Sequence, residues 1–254
     1  MGMNKKHLTC AVLLGMLLTL LCCQASLGQP VLPRIEIGWN NTDSPEQVAA
    51  SLRILALITI LSLAPAILIM TTAFTRIIVV LSFTRSAIGL QQSPPNQVII
   101  GLALFLTFYI MAPTWSEVQQ KALTPFFEGT ISIEQALEET EGPVKNFMGK
   151  HTRNEDLRLF MKIGEITTRP GNFKDIPFHV LTPAFIISEL KTAFMMGFIL
   201  YIPFLVVDMI VASTLMSMGM LMLPPVMISM PFKILLFVLV DGWNLVVKSI
   251  LTGF

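Results

Sequence analysis

Beyond the first 50 residues, charged residues leave two long gaps in the first half of the chain: 22 uncharged positions between Arg53 and Arg76, and 31 between Arg85 and Glu117. About 20 apolar residues in a helix cross the hydrocarbon core of a bilayer, so each gap is long enough for a span. The second gap is interrupted by Gln91, Gln92, Pro94, Pro95 and Asn96, which favour a turn, and this leaves a helix from about Val98 to Met111. Together the two stretches predict a helical hairpin. From 117 to 182 the pattern turns polar, with ten acidic and eight basic residues. Apolar character resumes at Pro183 and holds to the end, for about four apolar helical segments in all.

Inside the polar stretch, Ser132-x-x-Gln135 and Thr152-x-x-Glu155 each have the form of a capping box that opens a helix. The second of these helices carries Leu157, Phe160 and Met161 on one face. Such a stripe serves either a small domain's own core or packing against a neighbouring subunit, and Phe147, Leu157 and Phe160 are the candidates for subunit packing. Pro170-Gly171 and Pro177 mark the loop into the third apolar block. The pattern is that of an all-α membrane protein with a small polar helical domain between its second and third apolar segments.

The first 28 residues change this picture. Lys5, Lys6 and His7 precede a largely apolar run from Leu8 to Leu21, and Ala25-Ser26-Leu27-Gly28 is a small-x-small ending. This is the form of a signal peptide cleaved after Gly28; an uncleaved first membrane helix is the alternative, although the run is short for a span. All three cysteines, Cys10, Cys22 and Cys23, lie in that leader, so the mature chain would hold no disulfide and no thiolate metal site. The expected organisation is a leader over 1–28, a periplasmic tail over 29–50, a first hairpin over 51–116, a polar periplasmic domain over 117–182 and a second hairpin over 183–254. The turn between the first two helices, with Arg76, Arg85, Pro94, Pro95 and Asn96 and no acid, should face the cytoplasm by the positive-inside tendency. Trp115 stands at a helix end, where interfacial aromatics gather.

Composition agrees: 54% of residues are apolar and 13% charged, with a mean hydropathy of +0.72 and a formal charge of +1. These values argue against a soluble enzyme and against a protein that holds nucleic acid through a basic face. No Gly-rich Lys motif, His-Glu-x-x-His or Gly-x-Ser-x-Gly elbow is present, so no enzymatic activity, cofactor or resident metal is expected.

Six charges stand among the last 72 residues: Glu189, Lys191, Asp208, Lys233, Asp241 and Lys248. A charge at the bilayer centre costs at least about 2.5 to 3.5 kcal/mol, so these groups must pair or face a protein or aqueous interior. Lys233 and Asp241 bracket only seven apolar residues, which rules out a simple lipid-facing span there. Glu189 and Lys191 are two apart and point to different sides of a helix. The expected pairing is Glu189 with Lys233, between helices or between subunits. A proton or ion relay is the competing use of the same acids.

Nine of the sixteen methionines lie between 195 and 230, and Met216, Met218, Met220 and Met222 alternate around Gly219 just before Pro224-Pro225. Methionine is flexible and polarizable, so a ring of such side chains can close a pore yet yield to irregular cargo. Plain hydrophobic filling is the alternative. A Cu(I) site is the third reading, against which no Cys or His stands near the cluster.

The stretch FTRIIVVLSFTRSAIGLQQSPPNQVIIGLALFLTF from Phe74, PAFIISELKTAF from Pro183 and MGMLMLPPVMISMPFKILLFVLVDGW from Met218 resemble the FliP family of flagellar biosynthesis proteins and its type III secretion relatives. The likeness runs from about residue 50 to 250. It implies a non-enzymatic part of the flagellar export gate, through which unfolded flagellar subunits leave the cytoplasm. It further implies kinked helical hairpins packed into a helical, pentamer-like homo-oligomer with the membrane proteins FliQ and FliR. The expected location is the bacterial inner membrane at the flagellar basal body, largely toward the periplasm. By the same resemblance, Met216, Met218, Met220, Leu221 and Met222 would form the pore seal, with Leu221 where many members have another methionine. Glu189 and Lys233 would stand at charged positions between subunits. A stand-alone small-ion or copper transporter is the alternative function.

Overall fold

A computed structural model describes residues 45–166, 171–220 and 222–254. The expected leader, most of the N-terminal tail, the three cysteines and Leu221 lie outside these residues. The chain divides into two compact units, Met1–Leu55 and Ala56–Phe254. The architecture below is that of the second, with α1 crossing the boundary.

The described residues form helices and no strand. In chain order these are α1 (Pro45–Thr71), α2 (Phe74–Ala87), α3 (Asn96–Val118), a π-helical turn (Gln119–Leu123), α4 (Thr124–Phe127), α5 (Ile133–His151), α6 (Asn154–Ile163), a 3₁₀ turn (Phe173–Asp175), α7 (Phe178–Ser217), α8 (Pro225–Leu239) and α9 (Gly242–Thr252). Among the described residues, three helical segments are long and apolar enough to cross a membrane: Ser51–Thr71, Asn96–Phe127 and Phe178–Ser217. The pair α8 and α9, bent by 65°, makes up to a fourth.

Two sequence expectations are corrected. The segment between Arg76 and Arg85 is not a turn: it is the body of α2, whose residues Ile77, Val80, Leu81 and Thr84 recur at helical spacing and are buried. The turn begins only after Ile88, where Gly89 takes a positive φ, and Arg85 closes it by donating to Asn96 Oδ1 at 2.6 Å and to the Pro94 carbonyl at 3.3 Å. The third helix also outruns its expected end at Met111 and continues to Val118.

The Ser132–Gln135 capping box is formed, with Gln135 N donating to Ser132 Oγ and Ser132 N to Gln135 Oε1. The Thr152–Glu155 box is not. Thr152 Oγ1 donates back to the Met148 carbonyl of α5, so α6 starts one residue later behind Arg153, whose N–H is taken by Ser188 Oγ. A hydroxyl four residues into a helix end has this nearer acceptor available.

α5, α6 and α7 share one core with α2 and α9. Phe147, Met148, Leu157, Val180, Leu181 and Phe185 join Ile77, Val80, Leu81, Val246 and Ile250 in a single cluster. Of the three candidates for subunit packing, Phe147 and Leu157 are therefore buried in the chain's own core, and Phe160 packs half-buried against it. α7 is 40 residues long, about 60 Å at 1.5 Å per residue and twice the bilayer core. Its first half, to Gly197, is buried against α2, α5 and α6, while its second half carries Ile199, Ile202, Met209 and Ile210 on the surface.

At Gly197 a Cβ would stand 2.7 Å from Phe83 Cγ, whereas at Gly101 it would meet nothing within 4 Å. Gly197→Ala is expected to destabilise the detergent-solubilised chain by about 1–3 kcal/mol through overpacking. Gly101→Ala should leave it unchanged or raise stability by up to about 1 kcal/mol. Thermal unfolding followed by circular dichroism measures both.

Candidate functional site

Two buried ion pairs organise the apolar half of the fold. Arg76 projects from the core face of α2, where Ala73, Ile77 and Val80 surround it, and it is 3% exposed. Glu189 projects from α7 and is fully buried. Arg76 Nε donates to Glu189 Oε2 at 2.8 Å and Nη2 donates to Oε1, so the guanidinium fork meets the carboxylate in bidentate fashion. The remaining edge is used as well: Nη1 donates to the Gly253 carbonyl at 2.6 Å, and the Phe254 ring lies 3.7 Å from Arg76 Cζ.

The second pair joins α7 to α8. Lys233 Nζ donates to Asp208 Oδ2 at 2.6 Å, and Ser229 Oγ donates to Oδ1 of the same carboxylate. Lys233 is 2% exposed and Ser229 fully buried, and their spacing of four places both on the α8 face toward α7. The expected Glu189–Lys233 pairing is thus not the one formed. The partners are exchanged because Glu189 lies in the first half of α7, opposite Arg76 of α2, whereas Lys233 of α8 lies beside Asp208 in the second half.

The other predicted charges sit outside these pairs. Lys191 approaches Glu155 at 3.7 Å on the surface. Asp241 occupies the break between α8 and α9 in a left-handed conformation, φ 50° and ψ 54°. Gly242 follows because a Cβ there would fall 2.2 Å from the Phe237 ring. Among the described residues, no buried side-chain nitrogen or oxygen lacks a hydrogen-bond partner, and no three His, Cys, Asp or Glu side chains converge as a metal site.

The methionine cluster forms the tip of the α7–α8 hairpin. α7 ends in a left-handed Gly219, φ 73°, with Met220 N donating to the Leu215 carbonyl at 3.0 Å and Gly219 N to that of Met216, so the orphan carbonyls are satisfied locally. This closure turns the side chains outward: Met216 is 62% exposed, Met218 69% and Met222 97%.

Sequence reasoning missed Arg76 as the partner of Glu189, and with it Ser229, Phe254 and His151. The signal for Arg76 was present in its register, three residues after Ala73 and four before Val80. His151 packs edge-on to Phe254 at 5.1 Å and beside Phe147 at 4.8 Å. Burial first, then the nearby Arg76 and Lys150 charges, bring its pKa down to about 4.

The FliP family model matches residues 57–250. The chain is 58% identical over 214 residues to the flagellar biosynthetic protein FliP of Bacillus subtilis (strain 168), covering 84% of this chain and 96% of that one. It is 52% identical over 202 residues to its counterpart in Caulobacter vibrioides, covering 80% and 76%, and 50% identical over 240 residues to that of Aquifex aeolicus, covering 93% and 98%. The chain belongs to the FliP family. Both ion pairs and the methionine tip lie within the matched residues, while Gly253 and Phe254 lie beyond them. As a FliP-family chain built of long apolar helices, it is a membrane-associated protein of flagellar biosynthesis.

Arg76→Met and Glu189→Leu are each expected to cost about 3–5 kcal/mol, because each strands a buried charge, and the double variant should recover most of that loss. Lys191→Ala, at an exposed pair, should cost no more than about 1 kcal/mol. Thermal unfolding of the four proteins in one detergent is the measurement. His151 makes stability pH-dependent in a stated direction. Its folded pKa lies below the ordinary 6.5, so the unfolded chain binds the extra proton between pH 6.5 and about 4, and stability present above pH 6.5 falls across that window. His151→Gln should flatten this part of the stability profile.

Proposed function

We propose that this chain is a structural channel component of a flagellar type III protein export gate, and that it works without enzymatic chemistry of its own. In this reading several copies assemble with FliQ and FliR in the bacterial inner membrane at the flagellar basal body, largely toward the periplasm. They pass unfolded flagellar subunits. The 117–182 segment is the periplasmic part, and the leader over 1–28 directs insertion.

The methionine tip carries this reading. Its side chains are not needed for the core of a single chain, yet they are held outward at the end of a hairpin whose two helices are locked together by Lys233 and Asp208. Flexible thioethers gathered from several copies would make a dry closure without a hydrogen-bonding demand of their own, and such a closure can yield to varied polypeptide. The bare second half of α7 supports assembly for the same reason: Ile199, Ile202, Met209 and Ile210 stand exposed among the described residues.

Native mass spectrometry of the detergent-extracted protein, alone and co-expressed with FliQ and FliR, tests the proposal. A discrete closed oligomer that takes up both partners is the expected result. A stable monomer or dimer that ignores them would overturn it and favour a transporter that acts alone.

A further inference from the structure

We propose that the methionines at the α7–α8 tip are a site of reversible oxidation, at which a peroxide or hypohalous acid converts thioethers to sulfoxides and loosens the closure they make. The inference rests on the closure reading above and adds its regulation. In the single chain four methionines of the hairpin tip are exposed, Met216, Met218 and Met222, and Met227 in the first turn of α8, which is 67% exposed. Met111 and Met148 are fully buried and provide the internal contrast. Among the described residues there is no cysteine, since all three precede residue 24.

The chemistry balances with one oxidant per sulfur. A lone pair of the thioether sulfur attacks the outer peroxide oxygen, an S–O bond forms and the O–O bond breaks; the sulfur loses two electrons, and the departing hydroxide leaves as water. Reversal takes two thiols, which become a disulfide as the oxygen leaves as water in a methionine sulfoxide reductase reaction.

The location makes the change consequential. Between Asp208 and Lys233 the sequence has no charged residue. A sulfoxide is polar and chiral, so it brings a strong acceptor into a closure whose fit depended on the absence of one. Gly219 and the local carbonyl bonds hold the loop in place, and backbone groups already occupied within the turn leave that acceptor to recruit water.

The test uses membrane vesicles holding the full chain assembled with FliQ and FliR, treated with hydrogen peroxide. Peptide mass mapping should find oxygen added at Met216, Met218 and Met222 at least about tenfold faster than at Met111 and Met148. Ion leak should rise several-fold with it, and both should revert with methionine sulfoxide reductase and a thiol reductant. Equal oxidation rates at tip and core, or oxidised tips without leak, would overturn the proposal. A Met216→Gln/Met218→Gln/Met222→Gln variant, polar without oxidant, separates the two claims. If it leaks while the oxidised wild type stays tight, the closure stands and its oxidation switch falls; if it too stays tight, the closure reading itself falls.

Discussion

An arginine cannot give up its proton in a protein, so Arg76 is a permanent charge inside a core of alanine, isoleucine, valine and phenylalanine. The fold is arranged to accept it. Glu189 takes two of its donors, the Gly253 carbonyl takes a third edge, and the Phe254 ring covers the guanidinium plane. Four separate parts of the second compact unit, α2, α7, the end of α5 through His151 and Phe147, and the residues after α9, thereby meet at one point. A hydrophobic contact would have tolerated a slide of one helix along another; a bidentate pair with a filled third edge does not.

The second pair applies the same rule further along α7. Lys233, Ser229 and Asp208 fix α8 against α7 in a single register, and the chain then breaks at Asp241 and Gly242 to send α9 back toward α2. α7 is thus divided by function. Its first half is buried through Ser188, Glu189 and Ala193, and its second half, tied to α8 by Asp208 and Lys233, ends in the methionine tip. On the export-gate reading this division is the useful one, because the anchored half resists load while the tip stays free to meet its counterparts from other copies.

The polar network around α6 connects these levels. Asp156 accepts from Ser188 Oγ at 2.7 Å, Ser188 accepts from Arg153 N, and Arg153 reaches Thr192, so the soluble-looking segment is latched to the same turns of α7 that carry Glu189. Its helices share a core with the apolar ones. The change in composition at residues 117 and 182 is not a change of core.

The all-helical class, the long apolar segments, the Ser132 cap and the clustering of methionines before Pro224-Pro225 were legible in the sequence alone. Each of these follows from local periodicity, from the absence of charge over some 20 residues, or from the conformational preferences of single residues. The family likeness was also legible, in three stretches long enough to be specific. The partners of the buried charges were decided only in the tertiary structure. Glu189 had Lys233, Arg76 and others to choose from, and a count of charges does not rank them. The choice depends on which helix lies opposite which turn of α7, and that is set by how Phe185, Leu181, Ile77 and Leu81 pack. The same holds for Thr152, whose hydroxyl serves the helix behind it, and for Phe147 and Leu157, whose stripe fitted a subunit contact as well as a core. Local patterns state what a residue needs, and only packing states which neighbour supplies it.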